Sequence, residues 1–119
     1  MPKTEKRKTG DRGERRTALY LRLRGWRILE QNYTFGHKEV DLIAKRGKVI
    51  AFVEVKTRSA NAAVSAKTAV TQAKRHNIIT AAKGWCMTHD ASGCAVRFDV
   101  SEVTTGGKIN YIPSAYEGE

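Results

Sequence analysis

Glu39-Val40-Asp41-Leu42-Ile43-Ala44-Lys45-Arg46-Gly47-Lys48-Val49-Ile50-Ala51-Phe52-Val53-Glu54-Val55-Lys56 consists of two apolar runs joined by a basic turn, with every acid at the end remote from that turn. A two-residue loop at Arg46-Gly47 predicts a hairpin in which Ala44 faces Val49, Asp41 faces Phe52 and Glu39 faces Glu54. Side chains alternate along a strand. One face of the hairpin therefore carries Glu39, Asp41 and Ile43 from the first strand, with Ile50, Phe52, Glu54 and Lys56 from the second. Like charges opposed across strands cost a few tenths to about 1 kcal/mol, so three carboxylates on one face call for a compensating cation. A hard divalent ion with oxygen ligands suits those donors. The same crowding predicts that Glu54→Gln raises the melting temperature of the metal-free chain. An exposed edge hairpin with its polar groups in water is the competing reading. Against it, Val49 to Val55 is almost continuously apolar, as in a central strand covered on both faces. That pattern sets Glu54 and Lys56 beside a core, where charges need partners.

Phosphodiester hydrolysis requires a metal that polarises the phosphate and generates hydroxide, together with a cation or acid–base group near the attacking water and the charged transition state. Asp41, Glu54 and Lys56 supply these parts. Asp41 followed by Glu54-x-Lys56 resembles the PD-(D/E)xK nuclease superfamily, which includes restriction endonucleases and archaeal Holliday-junction resolvases. Six further segments sharpen the resemblance: Gly13-Glu14, Gly25-Trp26, Glu39-Val40-Asp41-Leu42-Ile43, Phe52-Val53-Glu54-Val55-Lys56-Thr57-Arg58, Arg97-Phe98-Asp99-Val100 and Ile112-Pro113-Ser114-Ala115-Tyr116. Together they are similar to the YraN-like family, small bacterial proteins to which endonuclease activity is ascribed. The match spans about residues 10 to 116. Two departures stand out. Val40 occupies the position of the superfamily's proline, and Lys38 that of the family's glycine, adding a positive charge beside the acids.

The resemblance implies a restriction-endonuclease-like α/β/α sandwich with a central mixed β-sheet. It also implies Mg²⁺ or Mn²⁺ held by Asp41 and Glu54, with the carbonyl of Val55 and the carboxylate of Glu39 as further ligands. Lys56 would position or activate the water and stabilise the transition state. In resolvase-like members a helix glutamate completes the site, a role that Glu14 inherits by resemblance. The alternative for Glu14 is a first-turn acid that complements the helix dipole.

Length and composition fit one domain. A chain of 119 residues buries about two-thirds of its unfolded surface, and 40% hydrophobic content suffices for a core. The net charge of +10 is unevenly spread: residues 1–89 hold 20 Lys/Arg against 7 Asp/Glu, residues 90–119 hold 2 against 5. The basic part surrounds the acidic hairpin, an arrangement suited to a polyanion such as DNA. Lys38, Arg58, Lys74 and Arg12 are the candidate phosphate contacts. No apolar run reaches the length of a membrane span, and the basic N-terminus lacks the apolar segment of a signal peptide, so a cytoplasmic location is expected. Cys86 and Cys94 fit reduced thiols, and without a C-x-x-C pair they do not assemble a zinc site with His89.

Along the chain, residues 1–10 read as a basic flexible tail and 11–119 as a single nuclease-like domain. Residues 11–24 form the first predicted helix, stopped at Gly25. Glu14, Ala18, Leu21 and Gly25 share one of its faces, Leu19 and Leu23 the other, so periodicity leaves the inward face open. A strand follows over 27–34, then the hairpin at 38–57, a small polar loop at 59–63 and a second helix from about 65 to 85. Lys74 interrupts that helix's apolar stripe of Val70, Ala73, Asn77, Ile78, Ala81 and Trp85, either as a contact at the site or as a snorkelling stem. Strands at 95–103 and 109–112 complete an α/β order. Arg97 and Asp99 read as a structural ion pair, Trp26 and Trp85 as core anchors.

The function expected is metal-dependent endonucleolytic hydrolysis of DNA, with branched or junction DNA as one candidate substrate and a homodimer as one candidate assembly. The alternative is a nonenzymatic nucleic-acid-binding or assembly protein that keeps a nuclease-like fold.

Overall fold

A computed structural model describes residues 5–58 and 71–118, with side chains from residue 12 onward. The elements run α1 (Glu5–Arg22), β1 (Arg27–Phe35), β2 (Lys38–Arg46), β3 (Val49–Arg58), α2 (Gln72–Thr88), β4 (Ala95–Thr104) and β5 (Ile109–Tyr116). This is the expected order of helix, three strands, helix and two strands. Residues 59–63 and the first part of the predicted second helix, 65–70, lie outside the described residues, as do residues 1–4 of the expected tail. α1 starts at Glu5, ahead of the predicted start at residue 11.

The end of α1 follows from its glycine. Gly25 has φ 88°, a conformation that costs glycine nothing. There the Gly25 N–H donates to Arg22 O at 3.1 Å and the Trp26 N–H to Leu21 O at 3.0 Å, the paired bonds of a Schellman cap. The chain then enters β1 with Trp26 buried under the helix.

The five strands form one sheet in the order β1-β2-β3-β4-β5. Neighbours are antiparallel except β3 and β4, which α2 joins as a parallel pair. The sheet is therefore mixed, with β3 at its centre and a helix on each face. On the α1 side, Ala18, Leu21 and Trp26 pack against Leu42, Ala44, Ala51 and Val53. On the α2 side, Ile78, Ala81, Ala82 and Trp85 pack against Ile43, Ile50, Phe52, Phe98 and Val100. Covering on both faces is the physical reason β3 reads as a continuous apolar run. The inward face of α1 is set by Thr17, Ala18 and Leu21, while Leu19 and Leu23 are solvent-exposed.

The β2–β3 hairpin departs from expectation in register. Arg46 pairs with Val49 and Ile43 with Phe52, so the loop is Gly47-Lys48 and the pairing slides by two residues. The cause is the glycine, whose φ of 59° places it at the first central position of a turn that demands positive φ there. A loop at Arg46-Gly47 would force that strain on an arginine. A slip of two preserves which face each side chain occupies, so the apolar pattern alone does not detect it.

The distant strands are fastened by a buried polar cluster. Asp99, fully buried, accepts from Arg97 Nε at 2.9 Å, from the Tyr111 hydroxyl at 2.5 Å and from the Ser114 N–H at 2.9 Å. It sits where the β4–β5 register shifts between Phe98 and Val100. The expected Arg97–Asp99 ion pair is thus present, and the two β5 partners complete the satisfaction of a buried charge.

Candidate functional site

The β2–β3 ladder ends at the Leu42–Val53 pair. Beyond that point the Val55 N–H has lost its strand partner, and Asp41 Oδ2 accepts from it at 2.8 Å. A side-chain carboxylate thereby takes over a ladder bond and is held in place by it. A strand residue presents its N–H and C=O on the same edge, so the Val55 carbonyl also faces the gap that β2 leaves.

Strict alternation fails at the same place. Val40 packs with Ile43, Ile50 and Phe52 in the α2-side core, although it is three residues from Ile43. Glu39 and Asp41 accordingly turn toward α1, and a carboxylate oxygen of each lies within 4.8 Å of one from Glu14 and of one another. The expected single face carrying Glu39, Asp41, Glu54 and Lys56 is therefore corrected to a site astride the sheet. Glu14, Glu39 and Asp41 gather on the α1 side, while Glu54 and Lys56 look toward α2. Asp41 stands at the parting of the strands, close enough to Glu54 for the charge of one carboxyl to act on the other.

Glu54 is 3% exposed and has two ammonium partners, Lys74 from α2 and Lys56 Nζ at 3.5 Å. Lys74, its side chain partly exposed, turns its ammonium to the buried Glu54 as an ion-pair partner. It is placed by the start of α2, where Thr71 caps the helix by accepting from the Lys74 N–H at 3.2 Å. The crowding foreseen between carboxylates is thus tempered by two cations.

The electrostatics follow from burial and from these neighbours. Burial, then the charge of Glu54, push Asp41 up to about 8, against the Val55 N–H, which favours the anion. Burial pulls the Lys56 ammonium down, and the adjacent Lys74 adds to this. For Lys74 burial works downward, but the Glu54 carboxylate outweighs it and the ammonium is held above its ordinary range.

The remaining candidates for phosphate contact are dispersed. Lys38 opens β2 beside Glu39, half-buried. Arg58 ends β3, and its Nε is buried with no hydrogen-bond partner among the described residues. Arg12 lies on the opposite side of the sheet in a small cavity shared with Arg16. Sequence reasoning passed over Arg16, although its spacing of one helical turn from Arg12 marks the two as neighbours.

All the donors gathered here are oxygens, the set a hard divalent cation takes. Asp41, Glu14, Glu39, Glu54 and the Val55 carbonyl are the residues present to hold one. No helix among the described residues is long and apolar enough to cross a membrane.

A family model described as uncharacterised protein family UPF0102 matches residues 13–103. A UPF0102 protein of Nitratidesulfovibrio vulgaris is 40% identical over 112 residues, covering 92% of this chain and 84% of the relative. One of Chlorobium chlorochromatii is 48% identical over 91 residues, covering 76% and 70%. Among solved structures, the Holliday junction resolvase Hjc of Archaeoglobus fulgidus matches with a TM-score of 0.54 at 19% identity, over 88% of this chain and 77% of that one. The fold is thus that of the resolvase, restriction-endonuclease-like, as the motifs implied.

Proposed function

The chain belongs to the UPF0102 family, the YraN-like group, and we propose that it is a metal-dependent endonuclease that hydrolyses DNA phosphodiester bonds, with branched DNA as its substrate. The observation that carries this reading is the meeting of Asp41, Glu54 and Lys56 where β2 parts from β3, within reach of Glu14 and Glu39. Support for the substrate comes from the resolvase fold and from the net charge of +10.

In this reading Asp41, Glu54 and the Val55 carbonyl hold Mg²⁺ or Mn²⁺, with Glu14 and Glu39 completing the donor set. When bound, the ion supplies Lewis-acid polarisation of the phosphate and lowers the pKa of water. The chain's own groups do the positioning. The Val55 N–H fixes one oxygen of Asp41 and so aims the other. Lys56, with its ammonium destabilised by burial and by Lys74, holds the attacking water by hydrogen bond and offsets the negative charge that grows in the transition state. Lys74, Arg58 and Lys38 receive phosphate oxygens on the α2 side, Arg12 on the α1 side. Symmetric cutting of a four-way junction requires two such sites, hence two copies of the chain.

The test is cleavage of linear, nicked, flapped and four-way-junction DNA with Mg²⁺ or Mn²⁺. Cutting of at least one substrate is expected, abolished in Asp41→Asn and Glu54→Gln and sharply reduced in Lys56→Ala. If no substrate is cut, the chain is a binding or assembly protein; if all three variants cut at the parental rate, the assigned site is wrong.

A further inference from the structure

On the α1 face of the sheet, away from the carboxylates, lies a cavity of about 110 Å³ lined by Arg12, Arg16, Thr57, Thr104 and Thr105. α1 passes over β3 with Glu14 reaching toward β2 and with Arg12 and Arg16, one helical turn apart, reaching toward the end of β4. The Arg16 guanidinium rests against Gly107 of the β4–β5 turn, in space that a Cβ there would fill. No acid lines the cavity among the described residues. Two guanidinium forks, with the Thr57 hydroxyl beside Gly13, around a space of this size match the oxygens of one tetrahedral anion.

Resting on the nuclease reading, we propose that this cavity is a phosphate subsite that takes a single phosphate of the nucleic-acid backbone and so sets the register of the strand against the carboxylates. Contacts of this kind position a strand without reading its sequence. β2 and β4 are separated by one strand, roughly 10 Å at the usual spacing. Duplex DNA advances ~3.4 Å per nucleotide, so the anchored phosphate lies a few nucleotides from the bond to be cut.

The experiment is fluorescence anisotropy of a labelled duplex against salt, in EDTA, for the parent, Arg12→Ala, Arg16→Ala, the double variant and Thr57→Val. Each neutralised phosphate contributes ~0.9 to the slope of log K against log salt. Because both arginines serve one phosphate, the double variant should lose ~0.9, and each single variant clearly less than half of that, since the remaining guanidinium still neutralises the phosphate. Thr57→Val, which changes no charge, should weaken binding several-fold at an unchanged slope. Both arginines are exposed, so the variants fold.

Parental slopes in every variant would overturn the proposal. So would a double-variant loss equal to the sum of the singles with Thr57→Val silent, the signature of an ordinary basic surface. A cavity for free phosphate is also an overturning outcome: inorganic phosphate at constant ionic strength would then raise the parental melting temperature but not that of the double variant, with the DNA slope unmoved. The measurement needs no cleavage. An inactive protein with these slopes keeps the subsite and loses the enzyme, whereas a cutting enzyme with unmoved slopes keeps the enzyme and loses the subsite.

Discussion

Asp41, pushed up to about 8 by burial and by Glu54, favours its protonated form at neutral pH when no metal ion is bound. In the unfolded chain the same carboxyl titrates near 3.8. Between these values the native state binds more protons than the unfolded one, so stability falls as pH rises from about 4 to 8. Asp41→Asn should flatten that decline, and urea unfolding at several pH values measures it; a variant that declines as the parent does would refute the assignment. The Val55 N–H, bonded to this carboxylate, should shift its NMR resonance over the same range. Glu54 obeys a different rule. Its two ammonium partners reverse the expectation drawn from carboxylate crowding: Glu54→Gln leaves Lys56 and Lys74 facing each other half-buried. It should therefore melt lower, by roughly 1–3 kcal/mol of lost stability, with Glu54→Gln/Lys74→Met recovering part. A variant that melts above the parent would restore the simpler reading.

The first turn of α2 ties an element to the site. Thr71 caps it through the Lys74 N–H, and Thr71→Ala should cost about 1 kcal/mol while loosening the ammonium that faces Glu54. A thermal melt and a cleavage assay on the same variant check both, and an unchanged melt would show that the cap is idle. The elements themselves were legible in the sequence because apolar periodicity and glycine turns are local signals. Three things were not. The inward face of α1 was hidden because Leu19 and Leu23 are apolar yet exposed. The hairpin register was hidden because a slip of two leaves every side chain on its face. The turning of Glu39 and Asp41 toward α1 depends on where the β2–β3 ladder stops, a tertiary fact. Thus the residues proposed for the candidate site came from spacing and resemblance, which gave neither their placement astride the sheet nor the pairing of Lys74 with Glu54.

At the scale of the whole molecule, a cation that binds only the folded chain must stabilise it by mass action, about 2.7 kcal/mol at one hundred times its dissociation constant. The melting temperature should therefore rise with Mn²⁺ at constant ionic strength, and the rise should vanish in Asp41→Asn. An equal response in both proteins, read by calorimetry, would move the ion elsewhere. The strand order has a separate consequence. Spatial order equals chain order throughout, so a break between Arg58 and Thr71 divides the sheet along the β3–β4 line. Glu14, Glu39, Asp41, Glu54 and Lys56 all fall in the first piece, and Lys74 falls in the second with the strands that complete the core. Two fragments divided there are expected to rejoin along that line, and recovery of the parental melting transition on mixing them would score it.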